Sequence, residues 1–279
     1  MTAPPSRDAT TPLAADDGRQ LLEAARYQFL SYLRTNRFLA LLILTVLVTV
    51  LICGLAVYFE GLANGPAANG TVDDFLAVTL SFVSLLIVLT ASFLGGDAVA
   101  IDFGSASGYF TLVLPIRRPV LLLGRYLAAF ATGLSLLVLQ YAVLSLLALH
   151  YYGTLSWELP ESFGFATLYL LAILSLAFAL GSFFQRPVVA LVATILLVLF
   201  GFAIAQEAVV AAGSEPWMFA SYAGGEITNI FSNAPHEQAT PFLTTWNPYP
   251  AEAGIILVAY TVVGLGLALF LHARKEVVG

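Results

Sequence analysis

The stretch FGFATLYLLAILSLAFALGSFFQRPVVALVATILLVLFGFAIAQEAVVA, residues 163–211, holds two long apolar runs divided by one short turn at Arg186. Each run, about 163–183 and 188–211, supplies the roughly 20 apolar residues that an α-helix needs to cross a bilayer. A strand exposed to lipid leaves backbone groups unpaired unless it closes a barrel, and these runs are too long and too continuously apolar for barrel strands. The pair therefore reads as two membrane-spanning helices joined by a tight turn.

Four more runs of the same kind lie outward from this pair, at about 38–58, 75–96, 120–149 and 252–271. The expected fold is all-α, a polytopic membrane protein with six transmembrane helices. Composition agrees: 59% of the 279 residues are hydrophobic and 10% are charged, against about 25% charged in soluble domains. The mean hydropathy is +0.90. No stretch remains to build a separate soluble core. Met1–Gly18 is polar and rich in Pro, Thr and Ala, which predicts a disordered cytoplasmic tail over 1–18 and one transmembrane domain over 19–279. About 37 mostly polar residues precede the first apolar run, unlike a secretory signal peptide. The single cysteine, Cys53, excludes an internal disulfide and a cysteine metal cluster.

Charge gives the orientation. Arg7, Arg19, Arg26, Arg34 and Arg37 precede the first run, and Arg117, Arg118 and Arg125 lie between the second and third. Arg186 sits between the fourth and fifth, and Arg274 and Lys275 follow the sixth. The loops about 59–74, 150–162 and 212–251 contain no Lys or Arg. The positive-inside rule then places both termini in the cytoplasm of a multi-pass protein of the cell membrane.

Before the first run, Arg19–Arg37 is amphipathic. At about 100° per residue, Leu21, Leu22, Ala25, Phe29, Tyr32 and Leu33 share one arc, and Arg19, Glu23, Arg26, Arg34 and Arg37 a neighbouring one. The pattern reads as an interfacial helix over 19–37 with its arginines at lipid phosphates, or as a basic anchor that only fixes topology.

Between the second and third runs the sequence reads Asp102-Phe103-Gly104-Ser105-Ala106-Ser107-Gly108-Tyr109-Phe110-Thr111-Leu112-Val113-Leu114-Pro115-Ile116-Arg117-Arg118-Pro119, and Gly124-Arg125-Tyr126-Leu127-Ala128 follows. Ser107 is a possible cap for a short helix that Pro115 ends. Such a helix is apolar on the water side and wants a protein partner.

This loop resembles the first cytoplasmic loop of ABC-2 type transporter permeases. Asp102, Gly108, Tyr109, Pro115, Arg118, Gly124 and Tyr126 match the family's order of acidic residue, Gly-Tyr pair, Pro-x-x-Arg and Gly-Lys-Tyr-Leu, with Arg125 in place of Lys. The chain departs from the pattern in the uncharged Phe103–Ser107. The amphipathic segment is similar to the family's connecting helix. The resemblance implies the permease subunit of an ATP-driven transporter, an exporter, with two permease subunits forming the pore as a homo- or heterodimer. It implies that Asp102, Gly108, Tyr109, Phe110, Leu112, Pro115, Arg117 and Arg118 couple to a separate ABC ATP-binding subunit. The chain carries no Gly-x-x-x-x-Gly-Lys-Ser/Thr loop. ATP and Mg are therefore expected on that partner, with no cofactor and no catalysis on this chain.

Other chemistry is sparse. His150, His236 and His272 are isolated in the sequence, and no His-Glu-x-x-His pair exists. Glu207 is the acid nearest a span interior, as a functional carboxylate or as an interfacial residue beside Gln206. Ion-coupled carriers use midplane charges or broken helices, and neither is evident, which favours energy from outside the bilayer. The loop 212–250 carries Trp217, Phe219, Tyr222, Phe231, Phe242, Trp246 and Tyr249. It reads as short helices dipping back into the outer leaflet, or as a loop resting on lipid. The alternative function is a polytopic protein that transports nothing: an anchor, a regulatory component or a membrane enzyme.

Overall fold

A computed structural model describes residues 17–63, 71–104, 118–184, 186–232, 235–239 and 244–274. The N-terminal tail reading falls outside them, apart from its last two residues. Helix α1 (Asp17–Arg34) ends at Thr35, and α2 (Asn36–Ala63) starts at once. Helices α3 (Val72–Leu80) and α4 (Val83–Gly104) follow, then α5 (Arg118–Tyr152) and α6 (Leu159–Phe183). Next come α7 (Pro187–Ile195), a π-helical turn (Leu196–Gly201) and α8 (Phe202–Ala211). Two short helices, α9 (Ala220–Gly224) and α10 (Glu226–Ser232), precede a hairpin of β1 (Glu237–Ala239) and β2 (Thr244–Trp246), and α11 (Pro250–Arg274) closes the chain. The protein is an all-α polytopic membrane protein. Among the described residues six helical stretches are long and apolar enough to cross a membrane: 38–55, 72–96, 119–152, 159–183, 187–211 and 250–272.

Helix α6 is the hub. It packs on α11, α4, α5, α7, α9 and α10. Small residues let its neighbours approach. A Cβ at Gly95 of α4 would lie 2.6 Å from the Ala177 Cβ, and one at Gly264 of α11 would lie 2.5 Å from Ser175 Oγ. Ser175 Oγ also stands 3.0 Å from the carbonyl of Tyr260, so a hydrogen bond joins the same two helices.

Four local readings change. The acidic pair Asp73 and Asp74, expected in a loop, forms the first turn of α3, where carboxylates suit the positive end of the helix dipole. Thr71 and Asp74 make a reciprocal capping box there. The second span breaks at Ser81–Phe82, and the fifth passes through a π turn. Both irregularities lie inside stretches that are each long enough for a single span, and no sequence signal marked them. The amphipathic segment forms α1, which packs along α5 through a face that includes Leu21, Ala24 and Ala25. Leu22 and Leu33, assigned to the same apolar arc, are exposed.

Candidate functional site

The bundle has a basic end and an acidic end. At the basic end the coupling segment splits. Asp102 is in the last turn of α4, and Arg118 is the first residue of α5. Gly108, Tyr109, Phe110, Leu112, Pro115 and Arg117 lie outside the described residues, as does the short helix read between Ser107 and Pro115.

The neighbouring Gly124-Arg125-Tyr126 forms a joint. A Cβ at Gly124 would lie 3.0 Å from Ala24 Cβ, so α1 approaches closely here and a larger residue would make it give by a few tenths of an ångström. Arg125, 9% exposed, donates from Nη1 to the Ala98 carbonyl of α4 at 2.9 Å. The Tyr126 hydroxyl donates to the Leu171 carbonyl of α6 at 3.0 Å, and its ring meets Phe178 edge-on with centroids 5.3 Å apart. Three successive residues of α5 thus tie down α1, α4 and α6.

Toward the acidic end, a cavity of about 300 Å³ opens beside the interrupted helices. Ser81 and Ser84 line it from the break, and Val198 and Leu199 from the π turn. Helical backbone gives up a regular hydrogen bond at each irregularity, which is tolerated at membrane depth where protein or a cavity accommodates it. Serine hydroxyls repair the break: Ser81 donates to the Val78 carbonyl at 2.7 Å and Ser84 to the Ser81 carbonyl at 3.2 Å.

Helices α9 and α10 cap this cavity with Ser221, Gly224 and Thr228 among its walls. They lie against α6, α3 and α11. Gly224 sits on the Tyr169 ring, where a Cβ would be 2.8 Å from Cε2. Tyr169 is ten residues into α6, so the cap runs beside its first three turns, about 15 Å of helix. The Ser162 hydroxyl of α6 lies 2.7 Å from the Ile227 carbonyl and 2.9 Å from the Tyr141 hydroxyl. Tyr260 of α11 donates to the Met218 carbonyl at 2.7 Å. The loop thus forms short helices packed on the bundle.

The cap carries the acidic end's carboxylates inward. Glu226 is 3% exposed, and its Oε2 has no hydrogen-bond partner among the described residues. Burial, then the nearby charge of Glu161, pushes its pKa up to about 7. Glu158 is raised by burial and by Asp73 and Glu161. Among the described residues no group of His, Cys, Asp and Glu is placed to hold a metal ion.

Sequence reasoning missed Tyr169 and Glu226. Tyr169 reads as one more apolar-run residue, and Glu226 as one acid in a long loop; no local pattern marks either. Glu207, the acid singled out, is exposed on α8. His236, isolated in sequence, is not isolated in space. It stacks on Tyr249 at 4.3 Å, its Nδ1 lies 2.6 Å from the Asn247 carbonyl, and its Nε2 lies 3.4 Å from Glu215. Glu215 also accepts from the Tyr222 hydroxyl at 2.7 Å, which links the hairpin to the cap. No family model matches the sequence, and no curated protein matches it.

Proposed function

We propose that the chain is the permease subunit of an ATP-driven exporter of the ABC-2 type, set in the cell membrane with both termini in the cytoplasm. It works as a dimer, and a separate ATP-binding chain docks on the loop 105–117. The resemblance of that loop supplies the family. The observation that carries the reading is the joint beside it.

Helix α4 is continuous for 22 residues, about 33 Å at 1.5 Å per residue. One end leads into the loop; the other borders the break and the cavity. Arg125 holds α4 to α5 near the loop, and Gly96 lies against the backbone of α7 at Leu191. A displacement applied at the loop by ATP-driven closure of the partner is passed along this rod to the cavity wall. The break at Ser81–Phe82 absorbs the change in angle, as interruptions in transporter helices do. Tyr109, Phe110 and Leu112 give the partner an apolar contact, and Arg117 and Arg118 add charge at its edge.

The test is copurification of an ATP-binding chain with this one, followed by hydrolysis and transport in liposomes. Tyr109→Ala with Phe110→Ala is expected to leave insertion intact, to reduce ATPase recovery at least tenfold and to uncouple hydrolysis from transport. A tenfold loss corresponds to about 1.4 kcal/mol, modest for two aromatic anchors. Normal assembly and transport in this double variant would refute the assignment and favour a protein that transports nothing.

A further inference from the structure

The cavity under α9 and α10 has an unusual balance of hydrogen-bonding groups. Its walls are mostly apolar and include no charged residue. Four of its side chains are hydroxyls whose protons are already committed. Ser81 donates to Val78 and Ser84 to Ser81, while Ser221 donates to Gln206 Oε1 at 2.8 Å and Thr228 to the Gly225 carbonyl at 3.0 Å. Each keeps only lone pairs to offer an incoming molecule. Tyr169 is the opposite case. It lines the cavity and is 2% exposed, and its hydroxyl is not among the fully buried unpaired atoms. It makes no hydrogen bond among the described residues and keeps accessible surface, so its proton remains free for a ligand that accepts it.

The site thus presents one uncommitted donor and several acceptors on an apolar wall. A carboxylate or phosphate only accepts, and it would face the serine and threonine lone pairs without a compensating cation. An ammonium group would be desolvated with no carboxylate in the walls. An alcohol both donates and accepts and carries no charge.

We propose that this cavity binds an uncharged amphiphile through its hydroxyl group, with Tyr169 donating to the alcohol oxygen and a serine or threonine accepting the alcohol proton. The volume of about 300 Å³ is at the lower end of ligand sites and fits a short apolar chain behind one polar head. Such an alcohol reaches the site from the bilayer, as a glyceride does, or from water. The proposal concerns binding by this chain alone and holds whether or not an ATPase drives it.

The test uses the full chain in lipid nanodiscs, without an ATPase, and three photoreactive probes with the same eight-carbon diazirine tail: an alcohol, a carboxylate and a trimethylammonium. Saturable labelling of the cavity walls by the alcohol alone is expected. Tyr169→Phe keeps the ring and should weaken alcohol labelling about three- to tenfold, the range of one neutral hydrogen bond. Ala203→Phe, at the rim of the cavity, should abolish it by filling space. If Tyr169→Phe lowers the melting temperature, Ser84→Ala provides the same reading from the acceptor side. Competition by dioleoylglycerol in the disc identifies a bilayer source, and competition by hexanol in the water a soluble one; either supports the site. Equal labelling by all three heads, unchanged affinity in the variants, or competition by neither alcohol would overturn it. Failure of the ATPase to copurify would leave this result untouched.

Discussion

The two ends of the bundle differ in how their buried charged groups are paired. At the basic end the buried polar groups are used: Arg125 reaches a backbone carbonyl and Tyr126 another. At the acidic end Asp73 Oδ1, Glu158 Oε2 and Glu226 Oε2 are buried without partners among the described residues. Satisfied buried polar groups rigidify, whereas unsatisfied ones cost free energy that opening to water returns. The basic end is thus held by paired groups, and the acidic end carries the unpaired carboxyl oxygens.

The sharpest way to break this comparison is to ask whether the ends face different compartments. In a Cys53→Ser background, Thr154→Cys and Ser232→Cys, both exposed, should label fully from outside intact cells with an impermeant thiol reagent. Glu23→Cys should not label until the membrane is opened. Reversed labelling would overturn the orientation drawn from Lys and Arg. Ser156, the obvious loop position by sequence, is buried and would give a misleading negative.

A pH titration comes next in size. The Glu226 carboxyl has a folded pKa of about 7 against an ordinary 4.5. Between those values the docked cap binds more protons than the opened one, so docking weakens as pH rises through this window and changes little beyond it. With one proton linked, the opening equilibrium should rise by about tenfold per pH unit there. Hydrogen exchange of the amides 226–232 measures it, and Glu226→Gln should flatten the dependence. The charge that acts on it is Glu161 of α6, which raises its pKa in the same direction as burial. A cap whose exchange ignores pH in the parent protein would remove the contrast.

Smaller changes sharpen it. Arg125→Ala should destabilise the whole bundle by about 1.5–3 kcal/mol, the range for a hydrogen bond to a charged group. It should be seen in chemical unfolding as one shifted transition, because the joint ties three helices. Ser162→Ala should cost about 0.5–1.5 kcal/mol and should show chiefly as faster exchange in α10 and around its other partner, Tyr141 of α5, with α1 and the joint at Arg125 unaltered. If Ser162→Ala instead moved the global transition as far as Arg125→Ala, the cap would be as integral as the joint.

Much of this was legible before any coordinates. The turn at Arg186 between two apolar runs and the absence of Lys and Arg from three loops are one-dimensional signals, and the six helices follow from them. Gly124-Arg125-Tyr126 was visible as part of a resemblance to a coupling region. Its role in tying α1, α4 and α6 was not, because a motif carries no record of which carbonyls it meets.

Solvent preference acts residue by residue, so sequence alone determined that the chain is an all-α membrane protein, that six stretches suit the bilayer, and which ends of them gather positive charge. Tertiary structure alone decided that the second helix breaks at Ser81–Phe82 and that the fifth passes through a π turn beside it. It also decided that Glu226 is buried next to Glu161 and that Tyr169 lines a cavity with its hydroxyl unpaired. These properties depend on what stands opposite each residue across the bundle. Helix periodicity states which face a side chain occupies, and only packing supplies the neighbour that makes that face a wall, a hinge or a site.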